Sequence, residues 1–413
     1  MNMLLILLAA LFAWIAWRDL RIGLFLILAF LPSYLLRFSF LGIPGTFLEA
    51  LILISFLIWI LKRGYQAHPL RQEHAWIVFL LLTVLTASIA VLASHGILTA
   101  LGVWKAYFIE PIMFFILVTS VLKKPCDAWP FLTALASGSW LIILPGIVQY
   151  AFDFGIPAPW DVERRITSIF SYPNAVGLSL GPVAIISFFA LMQKDAWKNR
   201  RMPAFWILTG IASLLVIMLA QSEAALVAAT ATIFLSALFF PRLRAATIAC
   251  AILATIGLGL FPDLRTFAVE KLTLQDFSGR VRLTQWKETA AFLSDHPIFG
   301  AGLSGYPDAI EPYHKERAYE IFQYPHNILL NTWVELGLLG LAVLTYAGAL
   351  MTKTFWQTWK KEPMILLASG VVLEMTIHGL VDAPYFKNDL SVLTWFFLAL
   401  IFVTHVAYAR HSH

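Results

Sequence analysis

Charge is scarce in this chain. Asp, Glu, Lys and Arg make up 13% of its 413 residues, where a soluble domain carries about 25%. The hydrophobic share is 60%, against roughly 45–50% in soluble domains. A water-solvated fold with a charged shell is excluded, and lipid is the solvent implied. Cysteine is nearly absent. Cys126 and Cys250 stand far apart, which leaves neither a disulfide framework nor a metal-ligand spacing. The apolar runs do not alternate with polar residues in segments of about ten, which excludes a transmembrane β-barrel. There is no P-loop, no Gly-x-Ser-x-Gly elbow and no His/Cys cluster. Paired acids of the kind used in metal-dependent sugar-nucleotide chemistry are missing too, so no metal and no cofactor is expected. The net charge of +5 points to no nucleic acid, because the basic residues sit in short loops.

What the chain has is apolar runs of about 20 residues, the length that crosses a bilayer. In lipid every backbone polar group must be paired internally, which demands helices. Spans are expected at 3–17, 22–40, 46–62, 75–93, 99–122, 131–151, 172–193, 204–220, 223–240, 244–261, 327–350, 364–381 and 387–408. The fold class is all-α, a polytopic helical bundle of about 12–13 transmembrane helices. No internal repeat divides it, so residues 1–413 read as one membrane domain. Residues 1–17 resemble a signal sequence, but Arg18 and Arg21 follow the apolar run instead of preceding it. A retained first span is expected.

Lys and Arg concentrate in alternate connections: Arg18/Arg21, Lys62/Arg63/Arg71, Lys123/Lys124, Lys194/Lys198/Arg200/Arg201, Arg242/Arg244 and Lys353/Lys360/Lys361. These read as cytoplasmic. The opposite set includes two longer segments, 152–171 and 262–325, which then face outward. Residues 262–325 are expected to form an extracytoplasmic cap with short helices.

Within that cap an amphipathic helix is expected at about 281–294, with Ser278 capping it and Trp286 either packed or anchored at the membrane interface. Arg280 stands near its N-terminus, where backbone N–H groups and a guanidinium together suit an anion. Gly300, Gly302 and Gly305 match G-x-G-x-x-G by letter. No strand precedes them, so they read as a tight turn and not a dinucleotide site. Pro325 suits the first turn of the next span and would place His326 there. The positive helix end would keep that imidazole neutral and able to accept a proton. Spacing alone favours a structural histidine over a base.

Other polar groups stand out. Arg164 and Arg165 either snorkel to headgroups or clamp a phosphate. Asp382 could orient a histidine or pair an arginine. Lys105, Glu110 and Glu335 fall inside spans, where pairing or a cavity is expected.

Several elements in order resemble a known family: Phe277-Ser278-Gly279-Arg280, Trp286, His296-Pro297-Ile298-Phe299-Gly300-Ala301-Gly302, Pro325-His326-Asn327, Glu335-Leu336-Gly337-Leu338-Leu339-Gly340, His378-Gly379-Leu380 with Asp382, and Arg165 through Pro173-Asn174. Across about residues 100–408 the chain resembles the O-antigen ligase and Wzy-polymerase-like superfamily. The resemblance implies glycan transfer from an undecaprenyl-diphosphate carrier to an acceptor hydroxyl, at the outer face of the bacterial inner membrane. The acceptor would be a lipid A-core, a glycan or a protein. It further implies His326 as general base and Arg280, Arg165 and Arg164 as diphosphate binders. Asp382, Asn327 and Glu335 would support them. Attack by the acceptor on the carrier-linked carbon would invert its configuration. One departure is Ser222-Glu223, where many members carry Ser-Arg. Ligase, polymerase and protein O-oligosaccharyltransferase are not separated by these residues. A transporter of a small solute or a lipid-linked glycan, using Lys105 and Glu110, is the reading from another class.

Overall fold

The computed structural model describes residues 3–40, 42–193 and 201–411. Lys194, Lys198 and Arg200, counted above among the cytoplasmic cations, lie outside them. Helices α1 (Met3–Arg18) and α2 (Leu20–Ala29) open the chain, and the Asp19 carboxylate caps α2 by accepting from the Arg21 amide. The span expected to run to residue 40 stops at Ala29. Pro32 falls in the first turn of a 3-10 segment at Leu31–Leu35, and a proline inside a helix removes a backbone donor and clashes with the preceding turn. Strands β1 (Arg37–Phe40) and β2 (Ile43–Thr46) then pair as an antiparallel hairpin. Thr46 and Glu49 cap α3 (Phe47–Leu61) reciprocally.

Helix α4 (His74–Ala93) is followed by α5 (Ile97–Trp104) and α6 (Glu110–Val121), which are joined by a π turn at Lys105–Ile109. Lys105 Nζ lies 2.7 Å from Glu49 Oε2 and 3.9 Å from Glu110 Oε1. Of the intramembrane charges singled out above, Lys105 thus pairs chiefly with Glu49 and stands near Glu110. Next come α7 (Trp129–Gly138), α8 (Trp140–Phe152), α9 (Asn174–Met192), α10 (Arg201–Leu219), α11 (Glu223–Ala237) and α12 (Pro241–Leu260). The polar stretch holds α13 (Pro262–Leu272), α14 (Phe277–Asp295) and α15 (Tyr306–Ile310), and the chain closes with α16 (Ile328–Thr358), α17 (Pro363–His378) and α18 (Asn388–His411).

Among the described residues eight helical runs are long and apolar enough to cross a membrane, with α1, α2, α3, α11 and α17 as shorter apolar helices. The chain is a polytopic all-α membrane protein, the small hairpin aside. Helix α18 is the central post and packs on α6, α17 and α16. The rings of Trp76, Phe115, Trp395 and Phe402 interlock around it at centroid distances of 5.3 to 6.0 Å, the range in which aromatic pairs add to area burial. Small residues set the closest approaches, as expected where lipid supplies little drive for helix association. A Cβ on Gly138 of α7 would fall 2.0 Å from the Ala29 carbonyl oxygen of α2.

Helix α16 is broken at Gly337, whose φ of 68° and ψ of −168° fall in a region essentially reserved for glycine. The turn at 296–305 docks into the break. Ala301 N–H donates to the Val334 carbonyl at 2.7 Å, and Leu338 N–H to that of Ile298 at 3.0 Å. Gly300 and Gly302 take φ of 63° and 73°. The glycines therefore form a tight turn, and the break gives that turn its backbone partners.

Candidate functional site

Asp276 caps α14, accepting from the Gly279 amide at 3.1 Å. Ser278, expected to be the cap, lies inside the first turn, because the helix starts four residues earlier than its apolar periodicity indicates. Ser278, Arg282 and Trp286 follow at intervals of four and share a face. Trp286 Nε1 donates to the Pro325 carbonyl at 2.8 Å, which ties α14 to the segment ahead of His326. Arg282 Nε donates to the Val381 carbonyl at 2.8 Å, and its Nη1 to Ser278 Oγ at 3.0 Å. Arg280 is exposed, and among the described residues its side chain has no ion pair or hydrogen bond.

His326 does not enter the helix. Asn327 is the N-cap of α16, accepting from the amides of Leu329 and Leu330 at 3.0 and 3.1 Å. Both Pro325 and His326 precede the helix, and His326 has φ of +48°. The dipole argument for a neutral imidazole therefore lapses. The side chain that wins the cap is the Asn, which satisfies two orphan amides at once.

A ladder holds the segment in place. Ile328 N–H donates to the Gly379 carbonyl at 2.6 Å. Asn327 Nδ2 donates to that of Leu380 at 2.9 Å. His326 Nδ1 lies 3.2 Å from Asp382 Oδ1. The turn after α17 thus grips the approach to α16 residue by residue, which is what a left-handed non-glycine backbone needs to persist. The His326 ring also stands edge-on to Phe322 at 5.2 Å.

Asp382 is buried, accepts from the Ala383 amide at 2.8 Å and from Asn174 Nδ2 at 3.4 Å. Burial alone would raise its pKa. The hydrogen bond and charge of His326, the charge of His378 and the Ala383 amide outweigh this and hold the carboxyl below the usual carboxylate range. Such an acid fixes the neutral imidazole with its proton on Nδ1 and leaves the Nε2 lone pair available. No partner for Nε2 occurs among the described residues.

Arg165 is half-buried. Its guanidinium lies over the Trp160 ring at 5.0 Å and reaches the Ala220 carbonyl at 3.4 Å. Burial lowers its pKa, Glu163 and Glu223 counter that, and Arg282 adds to the lowering. Arg165 and Arg282 therefore feel each other's charge. Arg164 turns elsewhere, 3.3 Å from Asp153 and over the Tyr150 ring. Glu223 is held by Lys271 at 2.6 Å, and Lys271 also pairs Asp276 at 3.0 Å. The acid that departs from the family pattern is thus covered by a cation from α13. Glu335 is fully buried and accepts from the Ser304 amide at 2.6 Å, where it braces the glycine turn.

The structure brings together His326, Asn327 and Asp382, and sets Arg282 one residue along from Asp382. It leaves Arg280 at the exposed rim and commits Arg164 to Asp153. Sequence reasoning missed Arg282. The signal was present, since Arg282 precedes Trp286 by one helical turn.

Residues 207–345, from α10 into α16, match a family model described as O-Antigen ligase. The match contains Arg280, Arg282, His326 and Glu335, and excludes Arg165 and Asp382. No curated protein matches the chain.

Proposed function

We propose that this chain, which belongs to the O-antigen ligase/Wzy-like superfamily through residues 207–345, transfers a glycan from a polyprenyl diphosphate carrier to an acceptor hydroxyl. The reaction takes place at the outer face of a bacterial inner membrane, with residues 262–325 as a cap over it. The observation that carries this reading is the 3.2 Å contact from His326 Nδ1 to Asp382 Oδ1, which leaves Nε2 of a partly exposed ring without a partner among the described residues.

In the reaction, His326 Nε2 takes the proton of the acceptor hydroxyl as its oxygen attacks the anomeric carbon. The bond from that carbon to the carrier breaks, and its electron pair leaves on the diphosphate. Direct displacement inverts the configuration. Asp382 stabilises the imidazolium as it forms. Arg165 and Arg282 meet the growing negative charge of the leaving diphosphate, as guanidinium groups suit phosphate oxygens. Arg280 at the rim meets the incoming carrier. Asn327 holds the base in place through its hold on Leu380. The steps use cations and one base supplied by the chain itself.

The test is transfer by purified protein in liposomes, with a carrier-linked glycan and lipid A-core as acceptor. His326→Ala is expected to lose transfer while remaining folded. General-base removal costs on the order of 10²–10⁴-fold. Undiminished transfer by folded His326→Ala would sink the role. In a deletion strain, loss of lipid-A-linked polymer with carrier-linked polymer retained identifies a ligase, and single-repeat products identify a polymerase.

A further inference from the structure

Asp382 is the outer member of a buried series. Glu374, His378 and Asp382 recur at intervals of four, with side chains 1%, 1% and 6% exposed. His378 Nδ1 lies 3.8 Å from Glu374 Oε1, and His378 Nε2 lies 3.9 Å from Asp382 Oδ2. One imidazole thus stands between two acids. Among the described residues neither oxygen of Glu374 has a hydrogen-bond partner. Its carboxyl lies against α9, where Gly181 makes room: a Cβ there would fall 2.2 Å from Oε1. Glu374 lies a helical turn, about 5–6 Å, further from His326 than His378 does.

Burying two carboxylates is costly unless each is neutralised by a proton or a cation. Among the described residues neither acid has an ion pair with lysine or arginine. Lys387 and Tyr172, from the segments ahead of α18 and α9, lie within electrostatic reach of Asp382. Asn174 donates a neutral hydrogen bond, and Arg282 holds the neighbouring carbonyl. Lys387 is paired with Asp389 at 3.6 Å, which leaves His326, His378 and a retained proton to balance the acids. The mechanism proposed above uses His326 and Asp382 and gives His378 and Glu374 no task.

We propose that Glu374 and His378 share one proton and that its position sets how firmly Asp382 supports His326; this rests on the functional reading above. With the proton on Glu374, His378 is neutral and its Nε2–H faces Asp382 at 3.9 Å, beyond a direct hydrogen bond. With the proton on His378 Nδ1, an imidazolium stands beside Asp382 and competes with His326. The series holds the same net charge in both forms; the second adds a buried ion pair, whose desolvation is offset by the attraction of the imidazolium to both Glu374 and Asp382. When His326 takes the acceptor proton, the Glu374 carboxylate closes on His378 from 3.8 Å to hydrogen-bond distance, the shared proton moves to it from Nδ1, and Asp382 serves one cation only. His378 and Glu374 are positioning residues, since neither reaches substrate.

The experiment reads the titration of His326 without requiring transfer. Full-length protein in detergent is treated with diethylpyrocarbonate across pH, and mass spectrometry follows modification of the His326 peptide. His378→Gln removes the competing imidazole, and Glu374→Gln removes the anion that favours its charge. Both are expected to raise the His326 midpoint by roughly half to one pH unit, the double variant shifting no further than His378→Gln. Gly181→Ala, which pushes the Glu374 carboxyl aside, is expected to shift it the same way and keeps the test open if a polar variant fails to fold. The acid limb of the transfer rate against pH should move with the midpoint. A midpoint unchanged in folded variants, whatever their stability, overturns the relay. A parent protein that transfers no glycan overturns the functional reading instead, and the modification experiment still decides the relay.

Discussion

Arg282 Nε and the carbonyl oxygen of Val381 lie 2.8 Å apart across 99 residues of sequence. That one bond ties the polar helix α14 to the turn following α17, one residue before Asp382. The approach to α16, with His326 in it, runs between them. A guanidinium, a carboxylate and an imidazole from three separated segments are held by main-chain contacts on either side.

The same bond makes Arg282, and not Arg280, the more consequential cation of the Ser-Gly-Arg-Val-Arg stretch. Arg282→Ala is expected to reduce transfer by roughly 10- to 100-fold, as loss of a charged hydrogen bond worth about 1.5–3 kcal/mol implies. The loss should fall mainly on kcat, because the charge that Arg282 meets grows only as the bond to the carrier breaks. Lys at 282 should not restore it, because an ammonium lacks the planar fork. Arg280→Ala should cost less. Steady-state kinetics of the three variants decide, and equal rates in Arg282→Ala and the parent remove Arg282 from the site.

Asp382→Asn keeps the shape of the acid but not its charge or its hold on the Nδ1 tautomer. A fall in kcat on the order of 10²–10⁴-fold is expected, with binding little changed. The folded pKa of Asp382 lies below its unfolded value. Its contribution to stability is therefore complete above about pH 4, the ordinary carboxylate value, and is lost as pH falls through the folded pKa. Acid titration followed by thermal unfolding should show this loss in the parent and not in Asp382→Asn.

His314 lies 3.0 Å from Glu288, and the other Glu288 oxygen accepts from the Lys315 amide at 2.9 Å. The hydrogen bond to Glu288 is the main reason the His314 pKa is raised. A raised histidine stabilises fully below its unfolded value near 6.5 and loses that contribution as pH rises through the folded one. Hydrogen exchange in residues 314–320 should therefore quicken, beyond its intrinsic pH dependence, as pH climbs above about 6.5. Glu288→Gln should abolish that extra component. A parent segment with the same pH response as the variant would show that the pair does not secure the loop.

Gly337→Ala places a Cβ 2.2 Å from the Ile298 carbonyl oxygen at a φ of +68°. Strain and overpacking each cost about 1–3 kcal/mol. The variant should lose several degrees of thermal stability or fail to accumulate in membranes. Gly348→Ala, in the same helix and with nothing within 4 Å, is the control. Equal melting temperatures for the two would mean that the break tolerates a side chain.

The positions of the spans followed from the sequence because lipid leaves a helix little choice. Apolar length sets where it starts and stops, and most boundaries agree within a few residues. The exceptions are the end of α16, which runs on to Thr358, and residues 30–40, which turned on Pro32 and on a hairpin whose pairing is not encoded in apolar length. The order of motifs also identified His326, Asn327 and Asp382 as companions. Composition could not show that His326 sits outside α16, since Asn327 and Pro325 compete for the helix start and only the Leu380 and Gly379 contacts decide between them.

The rest of the site was decided in three dimensions. Arg165, Arg280 and Arg282 are equivalent cations in a sequence. Their fates differ because the phase of α14, set by the Asp276 cap and by Trp286 against Pro325, turns Arg282 inward and Arg280 out. Glu374 and His378 look like two polar interruptions of an apolar helix. Their meaning depends on Gly181 in another helix and on a histidine 52 positions upstream of His378. The sequence by itself determined that this is a helical membrane protein and where its helices run, because burial in lipid acts on each segment alone. Tertiary structure decided which charges share a site, because electrostatic and hydrogen-bonding partners are chosen by distance in space.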